Sequence, residues 1–114
     1  MLHYHGTPIT PRPVLYTLAG KNFWVSYSDP GDVRVCHEIG QSVMLDSGAY
    51  SAWTRGVKPD WDGFVEWVRP WLAYPSTWAV MPDVINGGEW DNQILSAWLC
   101  EDARDVWKRC AGLA

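Results

Sequence analysis

The sequence lacks any pair of cysteines at metal-binding or redox spacing. Cys36, Cys100 and Cys110 are three in number, and none stands in a C-x-x-C arrangement. An odd, scattered set suggests neither a disulfide framework nor a thiolate zinc site, and a reduced cytoplasmic setting is the expectation. Basic excess is lacking too: nine Lys plus Arg against thirteen Asp plus Glu give a formal net charge of −4. Charge alone therefore supplies no footprint for a phosphate backbone. No apolar run approaches the roughly 20 residues of a membrane span, and Met1 is followed by His3 and His5 rather than by a basic and then apolar leader. No membrane partner is expected. A Gly-rich dinucleotide fingerprint is also missing after the first expected strand, which speaks against a nucleotide-binding doubly wound sheet.

What is present is a repeated alternation. The 114 residues are read as one domain, residues 1–114, able to bury about 65% of the surface its unfolded form exposes. Residues 1–5 give a short first strand, and Thr10 followed by Pro11 starts a helix whose face is Val14, Leu15 and Leu18, closed by Gly20. Aromatic and β-branched residues 22–27 form a second strand. Ser28 or Asp29 then caps a helix carrying Val33, Cys36, His37 and Ile39, ending at Gly40. Residues 41–45 are the third strand, and a loop holding Arg55 and Gly56 leads to Asp60, the N-cap of a helix with Trp61, Phe64, Val65, Val68, Trp71 and Leu72 on one face. Gly63 weakens that helix, and Pro70 kinks or ends it. Residues 77–81 are the fourth strand, and residues 89–110 repeat apolar positions at three and four in a last helix. Strand then helix, four times over, predicts an α/β fold of parallel strands joined by right-handed crossovers. Of the two architectures this allows, the reading favours a partial TIM-type barrel of about four βα units, the N-terminal half of a (β/α)₈ form that takes about 250 residues. Such an arc leaves two edges and an inner face open, so either a second copy or a missing C-terminal half would complete it.

In this architecture ligands bind outside the carboxyl ends of the strands. The four expected ends carry His3-Tyr4-His5, Ser26-Tyr27-Ser28-Asp29, Asp46-Ser47-Gly48 and Pro82-Asp83. A lone Asp after a strand is commonly a turn or cap residue. Asp46 and Asp83 gain a functional reading because neighbouring strands, about 4.8 Å apart, would bring both carboxyls to one pocket, where they would titrate as a coupled pair. Such a pocket suits acid or base work. It also suits a flat heterocycle, since an ionised carboxylate accepts the two adjacent N–H donors that guanine offers on one edge. Tyr50 or Trp53 could stack on the ring, and Gly48 would let the backbone approach its plane.

Residues 44–50, Met-Leu-Asp-Ser-Gly-Ala-Tyr, resemble the Asp-Ser-Gly-Gly-Phe-Gln stretch of the tRNA-guanine (queuine/archaeosine) transglycosylases, barrel enzymes that exchange guanine for a 7-deazaguanine base. Residues 81–84, Met-Pro-Asp-Val, look like the segment supplying that family's second, base-recognising aspartate. The likeness also takes in shorter transglycosylase-like proteins of phages, some linked to deazaguanine modification of DNA. It implies Asp46 as the pocket acid or base, with Ser47, Gly48, Tyr50 and Asp83 binding the base, and tRNA or DNA as the carrier of that base. Ala49 replaces the family's second glycine and Ser51 its glutamine, and the matching core covers only about forty residues, between Ser42 and Asp83. The family's nucleophilic aspartate and its zinc site lie on later strands, so the resemblance implies no metal or other cofactor within this chain and no turnover by the chain alone.

Two further readings come from other classes. One is a non-catalytic remnant or interaction module. The other is a metal-dependent amidohydrolase-like hydrolase, in which His3 and His5 grip an ion and Asp83 joins them. His37 reads as structural. Of the nine tryptophans, Trp61, Trp71, Trp98 and Trp107 fall at helical core spacing, Trp24 and Trp78 are read as inner-face residues of strands, and Trp53 and Trp90 follow the two aspartates in loops.

Overall fold

The computed structural model describes residues 3–80 and 110–111. Strand β1 (Tyr4–Gly6), helix α1 (Arg12–Tyr16), β2 (Asn22–Ser26), α2 (Val33–Ile39), β3 (Ser42–Asp46), α3 (Ala49–Thr54), α4 (Trp61–Trp71), β4 (Thr77–Val80) and β5 (Cys110–Ala111) follow in order. The strands form one sheet in the order β1-β2-β3-β4-β5, every neighbouring pair parallel. The protein is therefore α/β with an all-parallel sheet built from βα units. A doubly wound sheet reverses its strand order at a switch point, and the described strands show no reversal.

Alternation along the strands explains which face of the sheet the helices cover. Phe23 and Val25 of β2, Val43 and Leu45 of β3, and Ala79 of β4 are buried in one core with Leu15 of α1, Val33, Val35 and Cys36 of α2, and Phe64, Val65, Val68 and Leu72 of α4. These strand residues share one face, because Phe23 pairs with Val43 and Leu45 with Ala79. Residues of the other parity form rows on the second face: Tyr4, Asn22 and Ser42 at the N-terminal level, then Gly6, Trp24, Met44 and Trp78. Trp24 and Trp78 thus fall on the face away from the helices, as their alternation predicts. The N-terminal row is polar and internally bonded, Ser42 Oγ donating to Asn22 Oδ1 at 2.6 Å.

Several sequence expectations move by a few residues, each for a visible reason. Thr10 is not the first N-cap; Pro11 precedes a helix that begins at Arg12, and its five residues bury Leu15 while Val14 stays 44% exposed. Neither Ser28 nor Asp29 caps α2, which starts after Asp32. Asp32 is itself buried: its carboxylate accepts the Ile9 N–H at 3.1 Å and the Arg12 guanidinium at 3.1 Å. That ion pair ties the β1–α1 connection to the start of α2. The segment between Gly48 and Arg55, expected as loop, contains α3. Cys110, expected as the end of the last helix, stands in β5 and pairs with Ala79. The rest of that expected helix, residues 89–109, lies outside the described residues.

Helix α4 follows the expected pattern closely. Asp60 Oδ1 accepts the Gly63 N–H at 2.9 Å, as an N-cap carboxylate should, and the helix ends at Trp71 directly after Pro70. Gly63 has a use beyond weakening the helix. A Cβ there would lie 2.2 Å from both Asp60 Oδ2 and the Tyr27 hydroxyl, so glycine leaves room for the Tyr27–Asp60 hydrogen bond that ties the end of β2 to α4. His37 is structural, as its place on α2 suggests. Its ring stacks on Trp71 with centroids 4.4 Å apart, and its nitrogens reach the Val33 carbonyl at 2.8 Å and Thr77 Oγ1 at 2.9 Å. A carbonyl only accepts, so Nδ1 carries the proton and Nε2 is free to accept from Thr77. Burial lowers the imidazole's pKa and keeps it neutral.

Phe64 is fully buried, with ring contacts to Tyr27 and Trp67. Phe64→Ala is expected to cost about 3–5 kcal/mol of stability, read as a lowered urea midpoint. Val14→Ala, on the exposed side of α1, is expected to stay within about 0.5 kcal/mol of the parent. Equal losses at the two positions would contradict the assignment of the core.

Candidate functional site

The carboxyl ends of β2 and β3 lie side by side, Ser26 opposite Asp46, and the pairing runs one step further with the Tyr27 N–H donating to the Asp46 carbonyl at 2.8 Å. By alternation Asp46 falls on the face away from the helix core, at the rim of the sheet and half-buried. Burial raises its carboxyl above the usual carboxylate range; N–H groups of Gly48 and Ser47 pull the other way without cancelling it. The Gly48 N–H reaches Asp46 Oδ2 at 3.1 Å. An ionised carboxylate offers about four acceptor positions, so this bond leaves capacity for a ligand.

Gly48 holds the turn. Its φ is +75°, and a Cβ there would stand 3.0 Å from Ser28 Cβ and 3.2 Å from Ser26 Oγ. Both the left-handed backbone and the close approach require glycine. The approach is to the chain leaving β2, which differs from the ligand contact expected for this residue. Ser47 Oγ accepts the Ala49 N–H at 3.3 Å as the chain enters α3, and Ser26 and Ser28 hydroxyls bond each other at 2.8 Å. On α3, Tyr50 and Trp53 are 66% and 49% exposed, their ring centroids 5.8 Å apart. Tyr50 and Trp53 lie two and five residues beyond Gly48, and both rings are accessible for stacking.

Two parts of the expected site are placed differently or not at all. β1 pairs from Tyr4, which stands opposite the first residue of β2. Tyr4 therefore belongs to the N-terminal row, at the far end from Asp46, and its ring meets Trp24 edge-on. His5 lies on the helix-covered face, its ring 6.3 Å from that of Phe23. His5 and Asp46 thus occupy opposite faces of the sheet, and no group of three His, Cys, Asp or Glu able to hold a metal ion occurs among the described residues. Asp83 and Trp90 lie outside the described residues; β4, which would deliver Asp83, is indeed the neighbour of β3.

Behind the Ser47-Gly48 turn is a cleft of about 190 Å³ that the sequence reading did not identify, lined by Tyr27, Ser28, Ser47, Gly48, Arg55 and Lys58 among others. Its walls come from the turns after β2 and β3, the end of α3 and the link to α4, so no contiguous motif announces it. Among the described residues no helix is long and apolar enough to cross a membrane.

Searches against family models, curated proteins and solved structures return no match to this chain.

A half-buried carboxyl whose pKa is raised contributes stability that is fully present below the usual carboxylate value, about pH 4, and is lost as the pH rises through the raised value. Above that raised value the fold holds Asp46 ionised at a cost. Asp46→Asn is accordingly expected to raise the thermal midpoint by a few degrees at pH 7, with the gain shrinking toward pH 3. A midpoint lowered at pH 7, or a gain that does not change with pH, would contradict this placement of Asp46.

Proposed function

We infer that the chain binds a purine-like base at the rim of β3, as a transglycosylase-like protein built on an arc of a (β/α) barrel. Consecutive parallel strand order with helices sharing one face is the arrangement such an arc requires. The observation that carries the functional reading is Asp46, a strand-terminal carboxylate held partly out of water with acceptor positions to spare. Partial desolvation strengthens its hydrogen bonds to a ligand's N–H donors. Guanine and 7-deazaguanine present two such donors side by side. Tyr50 and Trp53 supply exposed rings near the same turn, and Asp83, following the neighbouring strand, is proposed as the second base-edge acceptor. The base would be carried by tRNA or DNA in the exchange reaction, with Asp46 as acid or base.

Isothermal titration of the full chain with guanine and 7-deazaguanine tests this. Saturable binding is expected for both, weakened at least about tenfold in Asp46→Asn, since a charged hydrogen-bond acceptor is worth upwards of about 1.5 kcal/mol. Absence of binding to either base, or equal binding by Asp46→Asn, would overturn the reading.

A further inference from the structure

We propose that the cleft behind the Ser47-Gly48 turn binds a phosphate group of the nucleotide whose base Asp46 holds; this rests on the base-binding reading above and extends it to the backbone of the ligand. Among the described residues the ion pairs are Arg12–Asp32 and Arg69–Glu66. Arg55 and Lys58 take part in neither, yet both line this one cleft. The Arg55 Nε–H donates to the Ser51 carbonyl at 3.3 Å, which fixes the stem and leaves the terminal guanidinium nitrogens as donors.

Hydroxyls complete the lining. Ser28 and Ser47 face the cleft from the ends of β2 and β3, and Tyr27 borders it. One carboxylate, Asp60, is also present, and it is engaged: Oδ1 takes the Gly63 N–H at 2.9 Å and Oδ2 the Tyr27 hydroxyl at 3.1 Å. Its charge is turned toward the first turn of α4, where the helix dipole favours it. Two cations with one committed anion leave the cleft net positive in a chain of net charge −4. A planar guanidinium, an ammonium and small hydroxyls around about 190 Å³ match a tetrahedral oxyanion in chemistry and size.

Position makes the anion a phosphate of the same ligand. Ser47 and Gly48 line the cleft, and the Gly48 N–H bonds Asp46. The carboxylate and the cleft are thus joined by one two-residue turn. A nucleotide can therefore set its base at Asp46 and lead its phosphate over the turn toward Arg55 and Lys58. The exposed Tyr50 and Trp53 rings on the same segment suit flanking bases of a single strand, which stack without sequence preference.

The test is ¹H–¹⁵N NMR on the full chain with three probes: inorganic phosphate, guanine and guanosine 5′-monophosphate. Inorganic phosphate and the monophosphate are expected to shift the Arg55 side-chain Nε–H and the Gly48 amide saturably, and Arg55→Ala/Lys58→Ala is expected to weaken the monophosphate at least about tenfold. Guanine binding should be unchanged in that double variant, whose fold is checked by the undisturbed signals of β2 and β3. Phosphate-dependent shifts together with silent guanine would sink the base reading while upholding the phosphate site. Silence with both phosphate probes, or a double variant that binds the monophosphate like the parent, would overturn the phosphate site itself. A single-stranded hexanucleotide sets the source: tighter binding than the monophosphate assigns the cleft to a strand, and equal binding to a free nucleotide.

Discussion

Parallel strands that pair in the order of the chain can place their right-handed crossovers on one face only. That constraint sorts the side chains of this protein. Residues of one parity, Phe23, Val25, Val43, Leu45 and Ala79, are committed to the helices and make the core. Residues of the other parity, from Asn22 and Ser42 at one end to Ser26 and Asp46 at the other, are left free to be polar, aromatic or functional. Asp46 is therefore a surface residue by topology and half-buried by its neighbours, which is the combination that shifts a carboxyl without silencing it.

Two half-buried titratable groups, His37 and Asp46, illustrate two uses of the same physics. His37 is neutral, bonded through both nitrogens and clamped by Trp71, so its desolvation is offset within the fold. Asp46 keeps its burial cost with only backbone donors to offset it. A group left in that state is stabilised further by whatever brings it additional N–H donors, and sites under such tension are where ligands bind. The turn that follows serves both sides of the proposed site. Gly48 adopts its left-handed conformation, presents its N–H to Asp46 and lines the cleft.

Much of this was legible in the sequence where local chemistry and tertiary context agree. β2, β3, β4 and α4 were readable because alternation, a capping Asp60 and a stop at Pro70 all point one way. α3 was not, because its buried positions are Ala49 and Ala52, too small to register as an apolar face. Val14 shows the reverse error, an apolar residue at helical spacing that the five-residue α1 leaves exposed. The first strand, expected over residues 1–5, is Tyr4–Gly6, so Tyr4 opens the strand rather than standing at its carboxyl end. β5, two residues long, has no periodicity to read. Asp46 stands out in the sequence because it ends an apolar run; Arg55 and Lys58 do not, because the cleft they line is assembled from turns distant in sequence.

The measurement that bears most directly on this account is the titration of the Asp46 carboxyl by ¹³C NMR in chain labelled at aspartate, with the signal assigned by its loss in Asp46→Asn. In the free protein the midpoint is expected above the ordinary value of about 3.9. On saturation with guanine it is expected to fall, because ring N–H donors favour the ionised form. An ordinary midpoint that guanine leaves unmoved would contradict the placement of Asp46 as the group that receives the base.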